Sequence, residues 1–128
     1  MIKISHIDHL VLTVVDISAT VDFYEKILGM RAIHFGAGRI ALEFGNQKIN
    51  LHQLGSEFEP KAQNIQAGSA DLCFITTTEL SNAMQHVKDH GITIIEGPVK
   101  RTGAQGSIIS FYFRDPDGNL IEISTYSR

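Results

Sequence analysis

An internal repeat constrains the fold of this chain more than any other feature of its sequence. A shift of 62 residues places His9 on Asp71 and Gly29 on Gly91, so a strand position and a helix end coincide in the two halves. Each half has an alternating stretch typical of a strand, an i, i+3, i+7 stretch typical of a helix, and three further short strand patterns. One βαβββ unit of about sixty residues is too small to bury its own sheet face well. We therefore predict an α+β protein of two tandem βαβββ modules, joined into a cupped sheet around a cleft.

The boundaries of these elements follow from local signals. Ser18 is the predicted N-cap of the first helix, and Gly29 and Gly91 are placed to end the two helices. The further strands are predicted at residues 31–35, 39–44, 48–54, 92–96, 107–114 and 119–125. We expect residues 1–128 to form one domain, with modules at about 1–55 and 68–128 and a Gly-, Pro- and polar-rich linker at 56–67.

Composition restricts the kinds of partner. The formal charge is −3 with a pI near 6.0, and no block of like charges gives a surface for nucleic acid or an anionic membrane. The lone cysteine, Cys73, excludes an internal disulfide, and the N-terminal stretch has no apolar run typical of a signal peptide or membrane span. We expect a cytoplasmic protein whose partner is a small molecule.

The stretch FRDPDGNLIEI places the carboxylate of Glu122 between two isoleucines of a predicted strand. A buried carboxylate is costly unless it is paired or binds a metal. His9 and Asp71 occupy the same place in the two halves, and the pseudo-symmetry would bring them to one cleft with Glu122. An imidazole and two carboxylates suit a divalent metal with open coordination positions. A metal held by His9, Asp71 and Glu122 would compensate the buried charge.

Each of these residues also has a structural interpretation. A single histidine on a strand is more often a satisfied core or surface residue, and Asp71 at a strand start is often a turn residue. In RDPDGN, the proline at the second turn position and the glycine at the fourth suit a type I turn. Asp115 and Asp117 are therefore predicted to be turn residues.

Two polar residues of the last strand of the first module add to the candidate site. The pattern around Asn50 matches that around Glu122, and His52 shares a face with Asn50 because alternate strand residues point the same way. His52 is a fourth ligand, a general base, a group that supports a ligand, or an inert cleft histidine.

Cys73 and Arg101 are further candidates for substrate contact. Cys73 shares a face with Asp71 and either lines the cleft or is a buried small hydrophobe. Arg101 is predicted to lie in a glycine-containing loop, KRTGAQG, where it either binds an anion or is solvated.

Four stretches, IDHLVLTV, FYEKILGM, KINLHQ and FRDPDGNLIEI, occur in this order along nearly the whole chain. This pattern resembles the vicinal oxygen chelate superfamily, which includes glyoxalase I, fosfomycin-resistance proteins, extradiol dioxygenases and bleomycin-binding proteins. The stretches KINLHQLGSEFEPKA, SADLCFIT and GPVKRTGAQG are most similar to glyoxalase domain-containing protein five and its bacterial relatives. The resemblance implies a metal-bearing cup and a homodimer in which modules pair across chains.

Residue by residue, the resemblance places the family's first-strand His on His9 and its C-terminal-strand Glu on Glu122. The family's usual second-module His falls on Asp71, and a further Glu of glyoxalase I falls on Asn50. Two carboxylates would cancel most of the charge of a divalent cation, so bound water would be less acidified than at a three-histidine zinc site. Oxygen-rich ligation favours manganese, magnesium, iron or nickel over tightly held zinc, without fixing the metal.

The resemblance implies a metal-dependent lyase or isomerase similar to glyoxalase I, that is, to lactoylglutathione lyase. Its substrate would be small and carry neighbouring oxygens, as an α-keto hemithioacetal does, and Glu122 or His52 would remove a carbon-bound proton. Two other interpretations stay open, because one fold hosts many chemistries. They are a non-catalytic protein that binds or sequesters a small molecule, and a dioxygenase of the same fold.

Overall fold

A computed structural model of the chain describes residues 1–126. Over these residues the chain forms two helices and eight strands, in two compact units that divide between Ala67 and Gly68. Each unit has the element order βαβββ and one four-stranded sheet. The α+β class and the two tandem modules predicted from the repeat are confirmed.

The first unit builds its sheet in the order β1-β4-β3-β2. β1 runs parallel to β4, and the other neighbours are antiparallel. α1 contacts β2 and β4. The element bounds are β1 His9–Val14, α1 Ile17–Leu28, β2 Arg31–Phe35, β3 Arg39–Phe44 and β4 Gln47–Gln53.

The second unit repeats this topology in the order β5-β8-β7-β6, again with the first strand parallel to the last. β6 and β7, and β7 and β8, are antiparallel pairs. The element bounds are β5 Asp71–Ile75, α2 Leu80–Asp89, β6 Glu96–Gly103, β7 Gly106–Arg114 and β8 Leu120–Tyr126. Neither helix of the described chain has the length and apolar composition that a membrane crossing requires.

The helix ends agree only in part with the prediction. Asp16, not Ser18, is the N-cap of α1, because its carboxylate accepts a hydrogen bond from the Ala19 N–H at 3.1 Å. Ser18 lies inside the helix. Gly29 ends α1 with φ at 65°, a left-handed conformation that glycine adopts without strain, as predicted.

The strand predicted at residues 92–96 is wrong. The chain enters β6 only at Glu96, and the strand continues through Pro98 to Gly103. Pairing with β7 is irregular between Glu96 and Val99, which accommodates a proline that cannot donate to the ladder. Gly97 approaches β7 so closely that an added Cβ would lie 2.6 Å from the Cβ of Phe111.

Alternation along the central strands separates an apolar face from a polar face in each unit. On β4, Ile49 and Leu51 point to one side and Asn50 and His52 to the other, and all four are buried. β8 repeats this arrangement. Its apolar side carries the buried Ile121 and Ile123, and its polar side carries Glu122 and Ser124.

The turn between β7 and β8 is a hydrogen-bonded structural element, as predicted. The Gly118 N–H donates to the Asp115 carbonyl at 3.0 Å, and the Asp115 carboxylate accepts from the N–H groups of Asp117 and Asn119. Asn119 is buried and its side-chain oxygen accepts from the Ala70 N–H at 2.8 Å. The turn therefore ties the end of β7 to the start of β5.

Candidate functional site

The strand registers place the predicted site residues on the polar faces of the two sheets. In the first unit Val11 lies opposite Asn50, and in the second unit Cys73 lies opposite Glu122. Because Cys73 is the repeat partner of Val11, Asn50 and Glu122 occupy equivalent positions, as the sequence pattern predicted. Within the first unit His9, Asn50 and His52 share one face, and within the second unit Asp71, Cys73, Glu122 and Arg101 share one face.

His9 is exposed at the start of β1, and its ring is oriented by its neighbour Asp8. The His9 Nδ1 lies 2.7 Å from an Asp8 carboxylate oxygen. This hydrogen bond holds the pKa of Asp8 below its ordinary value. A carboxylate on one ring nitrogen leaves the other nitrogen to bind a metal, an arrangement common among metal-binding histidines.

Glu122 is half-buried, and hydroxyl groups compensate its carboxylate. The Ser110 hydroxyl donates to Glu122 Oε2 at 2.7 Å, and the Ser124 hydroxyl lies 3.4 Å from the same oxygen. The two serine hydroxyls are 2.6 Å apart, and both residues are fully buried. The sequence pattern did not identify these serines as site residues, although Ser110 lies two residues before Tyr112 and Ser124 two residues after Glu122 on the same strand faces.

Arg101 lies on β6, which corrects its predicted place in a loop. Its Nε donates to the Tyr112 hydroxyl at 3.0 Å, and a terminal nitrogen contacts a carboxylate oxygen of Glu96 at 3.0 Å. The Tyr112 contact and then the Glu96 contact raise the pKa of Arg101. Burial raises the pKa of Tyr112, as does the nearby Glu122 carboxylate, while Arg101 opposes this shift. The guanidinium is thus held by groups of its own sheet, and its binding of a substrate anion stays a prediction.

Cys73 is exposed, so the interpretation of a buried small hydrophobe is wrong. Its sulfur lies 3.3 Å from the Ser124 hydroxyl, which links it to the same hydroxyl group that faces Glu122. Although the residue is exposed overall, partial burial of the sulfur raises the pKa of the thiol. Asp71, two residues earlier on β5, is also exposed and acts electrostatically on Cys73.

His52 is only 3% exposed and packs against Arg39 and Phe58. A terminal nitrogen of Arg39 lies 3.3 Å from His52 Nε2, and the rings of His52 and Phe58 meet edge to face at 5.5 Å. Burial, followed by the charge of Arg39, lowers the pKa of His52. The imidazole is therefore neutral near neutral pH and accepts the hydrogen bond from Arg39.

The residues fit a metal centre by their donor chemistry. His9 has a carboxylate on one ring nitrogen, and Glu122 has hydroxyl donors that fix one carboxylate oxygen. Within residues 1–126, neither unit by itself groups three His, Cys, Asp or Glu side chains closely enough to hold a metal ion.

Comparison with known proteins places this fold in a family. Residues 6–123 match the model of the glyoxalase/bleomycin resistance protein/dioxygenase superfamily. An integron cassette protein from the mobile metagenome of V. cholerae is 78% identical, with a TM-score of 0.97 over 99% of each chain. The virulence protein STM3117 of Salmonella typhimurium is 61% identical over 96% of this chain and 85% of its own length.

A relative from another organism is also similar. The glyoxalase domain-containing protein RDO1 of Mycosarcoma maydis is 57% identical over 98% of this chain and 70% of its own length. The matches extend over both βαβββ units, so they cover every predicted site residue. This chain belongs to the glyoxalase/bleomycin resistance protein/dioxygenase superfamily.

Proposed function

We propose that this protein is a metal-dependent lyase or isomerase of the glyoxalase I type. Its substrate is a small molecule with two neighbouring oxygens, such as an α-keto hemithioacetal. The observation that carries the proposal is the match between the two units. His9 and Asp71 begin equivalent strands, and Glu122 occupies the polar-face position equivalent to Asn50. Membership of the superfamily supports the same reaction class.

His9, Asp71 and Glu122 would hold the metal. A divalent cation bound there supplies Lewis-acid stabilisation of negative charge that develops on the two substrate oxygens. The donor set of one imidazole and two carboxylates favours manganese, magnesium, iron or nickel. Because His9 lies in the first unit and the two carboxylates lie in the second, the proposed centre requires both units.

Glu122 is the group that we assign to proton transfer. Its carboxylate is half-buried on the polar face, whereas His52 is almost fully buried with Nε2 already engaged by Arg39. The Ser110 hydroxyl fixes Glu122 Oε2 at 2.7 Å and so orients the carboxylate. Tyr112, held by Arg101, lies beside the same carboxylate.

Elemental analysis of the purified protein tests the metal site. The wild type is expected to hold a divalent metal, and His9→Ala, Asp71→Ala and Glu122→Gln are each expected to lose most of it. Glu43→Gln is the matched control, because Glu43 is a carboxylate on β3 that pairs with Arg31 at 2.6 Å, outside the donor set. Wild-type metal content in Glu122→Gln would contradict the proposal.

A second measurement separates the reaction classes. The metal-loaded protein is expected to convert the hemithioacetal of methylglyoxal and glutathione, followed through the absorbance of the thioester product. Protein that is free of metal and binds small ligands equally well with chelator present would instead be a binding protein. Oxygen uptake after anaerobic ferrous loading, without hemithioacetal turnover, would identify a dioxygenase.

We also propose that the protein acts as a homodimer. The donors lie in two separate units, so a centre can form from units of one chain or of two chains. A refolded mixture of His9→Ala and Glu122→Ala variants distinguishes these arrangements, because turnover returns only if a centre takes its donors from two chains.

A further inference from the structure

The polar face of the first unit carries a group of aromatic and cationic side chains that the proposed reaction does not use. We name it the Arg39 cluster. Strands β2, β3 and β4 and the segment after β4 supply its members, which are Phe35, Arg39, Asn50, His52 and Phe58.

Aromatic rings hold the guanidinium of Arg39 in place. Its central carbon lies 5.2 Å from the ring centroid of Phe35 and 4.7 Å from that of Phe58. A terminal nitrogen donates to His52 Nε2 at 3.3 Å. Cation–π contacts and this hydrogen bond fix the plane of the guanidinium, and a fixed planar fork suits two-point binding of a carboxylate or phosphate.

Within residues 1–126, no ion pair balances the charge of Arg39. None of the ion pairs formed within residues 1–126 includes Arg39. The carboxylate of Glu57, which acts electrostatically on His52, is paired with Lys61 at 3.5 Å. Lys48 adds a second positive charge, with its ammonium 3.8 Å from the Phe35 ring centroid. The cluster therefore offers net positive charge beside aromatic surface.

Asn50 supplies an independent indication of a ligand. The residue is 5% exposed, and its side-chain oxygen has no hydrogen-bond partner within the described chain. Its cross-strand neighbours, Val11 and Ala41, have apolar side chains that offer no donor. A buried amide without a partner is costly. Its position, roughly 7–8 Å from Arg39 on the diagonal between strands, places it within reach of the same small ligand.

We propose that the Arg39 cluster is a binding site for an organic anion that carries a carboxylate or phosphate group and, a few atoms away, a hydroxyl or N–H donor. The guanidinium edge of Arg39 that His52 leaves free binds the anionic group. The donor of the ligand satisfies the Asn50 oxygen. The site lies within the first unit and does not depend on the proposed metal.

Titration of the full-length, chelator-treated protein tests the site, with backbone amide chemical shifts as the readout. The probes are mandelate, phenylacetate and phenyl phosphate. Mandelate is expected to shift the amides of β3 and β4 around Arg39 and His52. Phenylacetate lacks the hydroxyl and is expected to bind about tenfold more weakly, in line with the loss of one hydrogen bond. Chemical-shift changes of the same amides on addition of phenyl phosphate would show that the site binds phosphate as well as carboxylate.

Variants identify the residues responsible. Arg39→Gln is expected to weaken mandelate binding about ten- to hundredfold, as for loss of charge-assisted hydrogen bonds. Arg31→Gln is the matched control, because Arg31 is an arginine of the same sheet whose charge is paired with Glu43 at 2.6 Å. Asn50→Leu is expected to remove the difference between mandelate and phenylacetate.

The outcomes separate this proposal from general electrostatic attraction and from the metal site. Equal weakening by Arg39→Gln and Arg31→Gln, shifts confined to other strands, or no shifts with any probe at millimolar concentration would overturn it. Should Arg39→Gln fail to fold, Arg39→Lys retains the charge and still loses the planar fork, so weaker binding remains the expected result. Because the protein is free of metal throughout, absence of a metal centre leaves the titration unaffected.

Discussion

The two units have the same topology, and their first, third and fourth strands pair in equivalent registers, yet equivalent positions on their polar faces carry different chemistry. Position by position, the neutral Asn50 of the first unit corresponds to the carboxylate Glu122 of the second. The buried side-chain oxygen of Asn50 has no hydrogen-bond partner among the described residues, whereas Glu122 accepts a hydrogen bond from Ser110 at 2.7 Å. The repeated backbone therefore fixes where a polar group lies and leaves its charge to the local sequence.

A second pair of equivalent positions also carries different side-chain chemistry in the two units. The first unit places Arg39 beside His52 at 3.3 Å, and the second places Ser110 beside Ser124 at 2.6 Å. Cationic and aromatic side chains suit an anion, whereas hydroxyls around a carboxylate suit a cation. A duplicated framework can thus support two binding chemistries.

The largest expected effect concerns the carboxylate of the second unit. Glu122→Gln should lower turnover of the hemithioacetal by about a thousandfold, because an amide neither carries the charge nor accepts the proton. The equivalent change in the first unit, Asn50→Leu, should leave the bound metal in place. Loss of metal in both variants, measured by elemental analysis, would show that the two units do not differ in this way.

The two units that form one metal centre can belong to one chain or to two chains of a dimer. Mixed and refolded His9→Ala and Glu122→Ala variants should recover about a quarter of wild-type turnover if each centre of a dimer takes its donors from both chains. Half of the dimers would then be mixed, with one intact centre of two. Sedimentation establishes the dimer, and a mixture that stays inactive would place all donors of a centre in one chain.

Two equivalent positions, Gln47 and Asn119, should contribute unequally to the free energy of unfolding. Asn119 and Gln47 both tie the last strand of their unit to the chain before its first strand, through contacts of 2.8 Å with Ala70 and Ile7. Asn119 is buried and also donates to Asp115, whereas Gln47 is exposed. Asn119→Ala should therefore lower the free energy of unfolding by about 2–4 kcal/mol, and Gln47→Ala by less than about 1 kcal/mol. Urea denaturation compares them, and equal losses would contradict this assignment.

The smallest expected effect is a pH dependence that belongs to the first unit alone. Burial and Arg39 lower the pKa of His52 from 6.5, so in acid the unfolded chain binds a proton that the folded chain does not. Stability should fall as the pH drops below about 6.5 towards the lowered pKa, and His52 should contribute no slope above that range. His52→Gln should make the acid decline shallower, whereas His34→Gln, at an exposed histidine of β2, should not. An unchanged acid limb in His52→Gln would refute this.

Sequence patterns located most elements and the equivalence of the two units. The strands Arg31–Phe35 and Arg39–Phe44 begin and end at the predicted residues, because alternation and the turn between them are local signals. The predicted position of β6 was wrong. An irregularity in its pairing with β7 between Glu96 and Val99 lets the strand continue past Pro98, where the local effect of a proline predicts a strand end. For the same reason Arg101 lies on this strand and not in the predicted loop.

The partners of the candidate site residues were not predictable in the same way. Ser110 and Ser124 are small polar residues with no distinctive pattern, and they became relevant only when β7 and β8 paired and brought their hydroxyls to Glu122. Arg39 was overlooked because its contacts with His52 and Phe58 join residues far apart along the chain.

The sequence by itself determined the α+β class, the two βαβββ units, and the positions of His9, Asn50, Asp71 and Glu122, because periodicity and repetition are encoded in neighbouring residues. The tertiary structure alone decided which groups meet those residues. Hydrogen bonds and cation–π contacts depend on distances of a few ångströms between strands, and these distances arise only when the register is set.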